Sequence, residues 1–104
     1  MSTQNFSNAA QQYLSRRIVG TKAHGLSVVD RPNSIDDALN VHQEMIKQRN
    51  DTVGGWKCLL PLDEEKIIVA PIFSDTIQSG DKCHLLIDNN KARIEPEIVF
   101  MLNK

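Results

Sequence analysis

The sequence predicts an α+β fold, with two N-terminal helices packed on a small, mainly antiparallel sheet. Three observations lead there. Residues 6–17 and 35–46 carry apolar side chains at helical spacing. After Gly54-Gly55 the texture changes to short apolar runs. Near the end, Asn89-Asn90 separates two alternating segments, a signal for a two-residue hairpin turn. With 104 residues, the chain reads as one small domain, residues 1–104, without room for two cores.

The first helix is expected over residues 6–19. Phe6, Ala9, Ala10, Tyr13 and Leu14 line one face, Arg16 and Arg17 lie in its last turn, and Gly20 is the stop. Residues 21–33 form a connector, with Val28 and Val29 tucked beneath it. The second helix has the clearest start. Ser34 is its N-cap, and Asp36 and Asp37 place two acids in its first turn. Ile35, Ala38, Leu39, His42, Met45 and Ile46 follow on one face, and the pattern fades near Asn50.

Residues 56–60 then read as a strand, 61–65 as a loop, 67–70 as a second extended segment and 78–81 as a turn. Cys83 to Asp88 and Lys91 to Leu102 are the arms of the hairpin. Its register sets Asp88 opposite Lys91, Leu85 opposite Ile94 and His84 opposite Glu95. Leu85, Ile87, Ala92 and Ile94 then share an apolar face, and Ile98, Phe100 and Leu102 are expected to bury against the helices.

Composition narrows the function classes. A net charge of −1, with no basic stripe, gives no case for nucleic acid. No apolar run is long enough to span a bilayer, and the first twenty residues show no signal-peptide core. Cys58 and Cys83 sit in no metal-ligand spacing and read as reduced, partly buried thiols of a cytoplasmic protein. Trp56 reads as a core aromatic.

The chemistry concentrates in Ile94-Glu95-Pro96-Glu97-Ile98. Glu95 and Glu97 fall on one face of an extended chain, where their repulsion needs a reason. A hard divalent cation is one, and a solvated strand face is the other. Lys57, beside Trp56, is either a surface lysine or a functional cation. His84 is either an ordinary carboxylate contact or a further metal ligand. His42, on the apolar face of the second helix, reads as a core or interface histidine.

Several of these pieces occur together in one family. Ser34-Ile35-Asp36-Asp37-Ala38-Leu39, then Gly55-Trp56-Lys57, a Pro71-containing apolar run and Glu95-Pro96-Glu97-Ile98-Val99-Phe100 stand in a shared order and spacing. In these the chain resembles the N-terminal portion of the 2-keto-4-pentenoate hydratase and oxalocrotonate decarboxylase group, within the fumarylacetoacetate hydrolase superfamily. The resemblance implies an incomplete version of that fold and a metal-dependent lyase reaction, hydration or decarboxylation of a small 2-oxo acid. Glu95 and Glu97 would hold Mg2+ or Mn2+, and Lys57 would donate a proton or anchor the substrate carboxylate.

The sequence also departs from the group. The third acidic ligand, which family members carry farther along, has no counterpart here. Leu39 and His42 stand where the family usually has tyrosine and glutamine, and Leu59 stands where it has glycine. The expectation is therefore a chain that is inactive by itself and binds metal weakly. Two non-catalytic readings stand beside it: a self-associating domain, most simply a homo-oligomer, or a subunit lending its carboxylates to a shared site.

Overall fold

Ser2 opens the first helix with a reciprocal cap. Its hydroxyl accepts the Asn5 backbone N–H at 3.2 Å, and the Asn5 side chain accepts the Ser2 N–H at 3.3 Å. The computed structural model describes residues 1–17, 23–59 and 67–103, and within it this helix, α1, spans Thr3–Ser15. It starts three residues before the expected Phe6 and ends at Ser15, short of the expected last turn. The Ser15 hydroxyl donates back to the Gln12 carbonyl, a local bond that competes with helix continuation. Arg16 and Arg17 consequently lie past the last turn, their N–H groups closing on Tyr13 and Leu14. The expected stop at Gly20 and the extension to Val19 lie outside the described residues.

The connector buries a different residue from those the sequence pointed to. Leu26 is buried, whereas Val28 and Val29 are exposed. The cause is a turn closed by Asp30 N–H to Ser27 C=O, which carries the two valines on its outer side. Asp30 is itself buried and fastens the turn to α1. Its carboxylate accepts from Ser27, Gln12 and Asn5 at 3.0, 3.0 and 3.3 Å. These bonds, that of Ser27 foremost, hold its pKa below the ordinary carboxylate value.

Helix α2 spans Ile35–Gln48 and starts as predicted, with Ser34 accepting the Asp37 N–H at 3.0 Å. Asp37 returns the favour by accepting the Asn33 N–H. Val41 and Met45 are buried against α1, where Ala9 and Ala10, also buried, are small enough for the two helices to approach closely. Gln48 bonds to Ser7 and joins the end of α2 to the first half of α1.

The sheet has two antiparallel strands, β1 (Val53–Leu59) and β2 (Ile68–Phe73). Both exceed the predicted runs. β1 begins three residues before Trp56 through a bulge at Gly54. A Cβ there would lie 2.6 Å from Ile77 Cδ1 and 3.2 Å from Ser74 Cα, so the close approach favours glycine. β2 continues through Pro71, which a strand in a two-stranded sheet tolerates because it is an edge.

β2 ends in Phe73, fully buried with Ala9, Ala10, Leu26, Val41 and Met45. Arg49 and Arg17 lie over its ring, 4.4 and 5.5 Å from the centroid. Phe73, not Trp56, is therefore the core aromatic; Trp56 is half-exposed across from Pro71. The α+β arrangement of two helices with a small antiparallel sheet thus holds.

Beyond the single 3-10 turn Ser74–Thr76, the described chain forms no further strand. The predicted turn is present. Asn89 and Asn90 have φ of 51° and 59°, the left-handed values of a type I′ turn. Asp88 and Lys91 exchange both backbone hydrogen bonds, at 2.9 and 3.0 Å. The ladder stops there, and Leu85 with Ile94 and His84 with Glu95 form no bridge. Nor do Ile98, Phe100 and Leu102 reach the helices; they are 85%, 83% and 94% exposed. A lone hairpin without an apolar surface to rest on is marginal in water, which accounts for the missing ladder. Cys58 and Cys83 are free, as expected, but both are exposed rather than partly buried.

Candidate functional site: Lys57 between Glu95 and Glu97

The C-terminal arm touches the folded part at the residues that carry the chemistry. Lys57 projects from β1, opposite Ala70 in the ladder. Its ammonium donates to Glu95 Oε2 at 2.6 Å and lies 2.8 Å from Glu97 Oε1. Thirty-eight residues separate Lys57 from Glu95.

Pro96 explains why one cation meets both acids. Its ring fixes an extended φ, and it biases Glu95 before it toward the same conformation. Residues two apart on an extended chain point the same way. The two carboxylates thus converge on one point, and the ammonium between them offsets the repulsion that the sequence left open.

The electrostatics follow from this geometry. Hydrogen bonds to Glu95 and then Glu97 hold the Lys57 pKa far above its ordinary value, so the amine stays protonated. The Lys57 hydrogen bond, then its charge, lowers the Glu95 pKa. The side chains of Lys57, Glu95 and Glu97 are 46%, 61% and 49% exposed. Water and salt therefore screen the cluster, and its contribution to folding is small.

His84 does not join it through the predicted cross-strand pairing. Its backbone instead brackets the Gln78 amide. The His84 N–H donates to Gln78 Oε1 at 2.7 Å, and its carbonyl accepts from Gln78 Nε2 at 3.0 Å. Among the described residues no three His, Cys, Asp or Glu side chains gather in a metal-holding group.

His42 ties two elements together. Its Nδ1 lies 3.2 Å from the Val69 carbonyl, which links α2 to β2. It also lines a pocket of about 320 Å³ with Pro32, Ile35, Leu39, Ile68 and Val69. Sequence reasoning placed His42 on the apolar face but gave no sign of this pocket, because β2 completes it from 27 residues away.

Comparison of the chain with protein-family models, curated proteins and solved structures returns no match.

Proposed function

We propose that this chain carries the cation-binding and substrate-anchoring edge of a 2-oxo acid hydratase, related to the 2-keto-4-pentenoate hydratase group and its fumarylacetoacetate hydrolase-like fold. The observation that supports this most is the meeting of Lys57, Glu95 and Glu97. All three were singled out by motif, and they converge within hydrogen-bonding distance although they lie far apart in the chain.

The donor chemistry fits Mg2+ or Mn2+. Two carboxylates aimed at one point suit a hard cation, and the Lys57 ammonium already stands there as a positive charge between them. Glu95 and Glu97 would hold the ion, with water, substrate or another chain filling its remaining positions. A cation so held supplies Lewis acidity toward a bound 2-oxo acid.

The protein's own residues divide the remaining work. With its pKa raised so far, Lys57 is a poor proton donor at neutral pH, because efficient acids have a pKa near the working pH. Anchoring a substrate carboxylate is the role its charge suits. Lys57 and a divalent cation compete for the same carboxylates, and an ammonium released from Glu95 and Glu97 is free to meet that substrate carboxylate. The chain by itself turns over no 2-hydroxypenta-2,4-dienoate, because two carboxylates leave a cation loosely placed and catalysis of this kind decays steeply with misplacement.

The test is ternary binding with oxalate, a bidentate mimic of the carboxylate and keto oxygens of a 2-oxo acid. Oxalate is expected to tighten Mn2+ binding in the natural chain and to lose that effect in Lys57→Ala. An Mn2+ affinity indifferent to oxalate would remove the substrate-anchoring role. Steady hydration of the dienoate by the pure chain, abolished by Glu95→Gln, would show that the chain completes its own site.

A further inference from the structure

The pocket beside His42 holds a polar atom whose role is set by the fold. His42 Nδ1 lies 3.2 Å from the Val69 carbonyl oxygen. A carbonyl only accepts, so Nδ1 carries the ring proton. In the neutral imidazole Nε2 is then an acceptor. Among the described residues nothing donates to Nε2. The ring is half-buried, and among the described residues Arg49 Nε is the only buried side-chain polar atom without a partner. Nε2 is therefore open to solvent, and the solvent beside the ring is that of the pocket it lines.

The other walls are apolar. Ile35, Ala38 and Leu39 come from α2, and Ile68 and Val69 come from β2. No Lys, Arg, Asp or Glu is among the lining residues. The polar rim, Asn33 and Ser34, is occupied with starting α2. Ser34 accepts the Asp37 N–H at 3.0 Å, and Asp37 accepts the Asn33 N–H at 3.1 Å. Asp36 and Asp37 also place negative charge on that end of the helix, which disfavours an anion there. The 2-oxo acid proposed for Lys57 is thus the wrong ligand for this pocket.

We propose that the pocket binds a small uncharged phenol, with its apolar body between α2 and β2 and its hydroxyl donating to His42 Nε2. The volume of about 320 Å³ is the share of roughly ten waters, enough for a ring with a short alkyl chain. Burial of that body supplies the affinity. Nε2 supplies the selection, because a ligand without a donor leaves the acceptor desolvated and unpaired. Lys57, Glu95 and Glu97 do not line the pocket, so this site and the Lys57 cluster stand or fall separately.

Heteronuclear NMR of the whole chain at about pH 8, where an ordinary imidazole is neutral, tests this with 4-propylphenol and its methyl ether. The phenol is expected to shift the resonances of Ala38, Leu39 and Val69, with a dissociation constant on the order of a millimolar. The ether keeps the apolar body but lacks the donor, and is expected to bind about tenfold more weakly. His42→Phe keeps a ring without the acceptor and is expected to abolish the difference between the two ligands. Ala38→Met fills the pocket from α2 and is expected to remove both sets of shifts. Equal affinity for phenol and ether in the natural chain is enough to overturn the proposal. So is the absence of shifts at the pocket residues, discrimination that survives His42→Phe, or binding unchanged in Ala38→Met.

Discussion

The segment from Ser2 to Thr76 and the arm after it contain similar fractions of apolar residues and use them in opposite ways. In the first, Phe73 and Val41 vanish from solvent because two helices and a sheet offer faces of complementary shape. In the second, Leu86, Ile87, Phe100 and Leu102 are exposed, although the arm is as rich in apolar residues as the part before it. Periodicity states which side chains share a face. It does not state whether a second face exists to receive them. The arm has its turn and its apolar residues, and among the described residues it lacks the opposing surface.

The contrast breaks most sharply at two phenylalanines. Phe73→Ala is expected to cost about 3–5 kcal/mol of folding stability, the usual loss for a fully buried aromatic. In dilute solution Phe100→Ala is expected to leave the melting temperature unchanged. Chemical denaturation of the two variants side by side measures both, and a large effect at Phe100 would place it in a core.

A smaller effect belongs to the caps. Ser34→Ala removes the acceptor for the Asp37 N–H and is expected to cost about 1 kcal/mol. Conversion of Ser34 to glycine should cost only a few tenths of that scale, since glycine is tolerated at the position. No loss in Ser34→Ala would mean that the hydroxyl contributes nothing.

How much of this was legible follows the same division. The start of α2 and the type I′ turn could both be read, because each rests on local chemistry: a cap and a left-handed pair of asparagines. Trp56, Val28 and Val29 were misplaced because burial is decided by what packs from elsewhere. The turn closed by Asp30 turns the valines outward, and β2 reaches the core with Phe73 instead. The His42 pocket was hidden for the same reason. The signal for Phe73 was present in its place at the end of an apolar run, but nothing local distinguished it from Ile72.

The smallest effect is electrostatic. Glu95 has a lowered pKa and Lys57 a raised one. Their attraction is therefore complete between the ordinary values of 4.5 and 10.5. It is lost as pH falls through the lowered Glu95 value, or rises through the raised Lys57 value. Carboxyl-detected NMR should find Glu95 titrating below 4.5, and Lys57→Met should return it toward that value. High salt should do the same in part, since the pair is exposed. A Glu95 that titrates identically in both proteins would mean the ion pair is not populated in solution.

The most direct measurement is Mn2+ binding, followed by electron paramagnetic resonance, in the natural chain and in Lys57→Met. If Glu95 and Glu97 form a cation site for which Lys57 competes, the natural chain binds Mn2+ weakly, with a dissociation constant on the order of millimolar. Removal of the ammonium then tightens binding about tenfold, and Glu97→Gln in the Lys57→Met background abolishes the gain. An affinity that is unchanged or weaker in Lys57→Met would contradict the account, leaving the two glutamates as ordinary surface partners of a lysine.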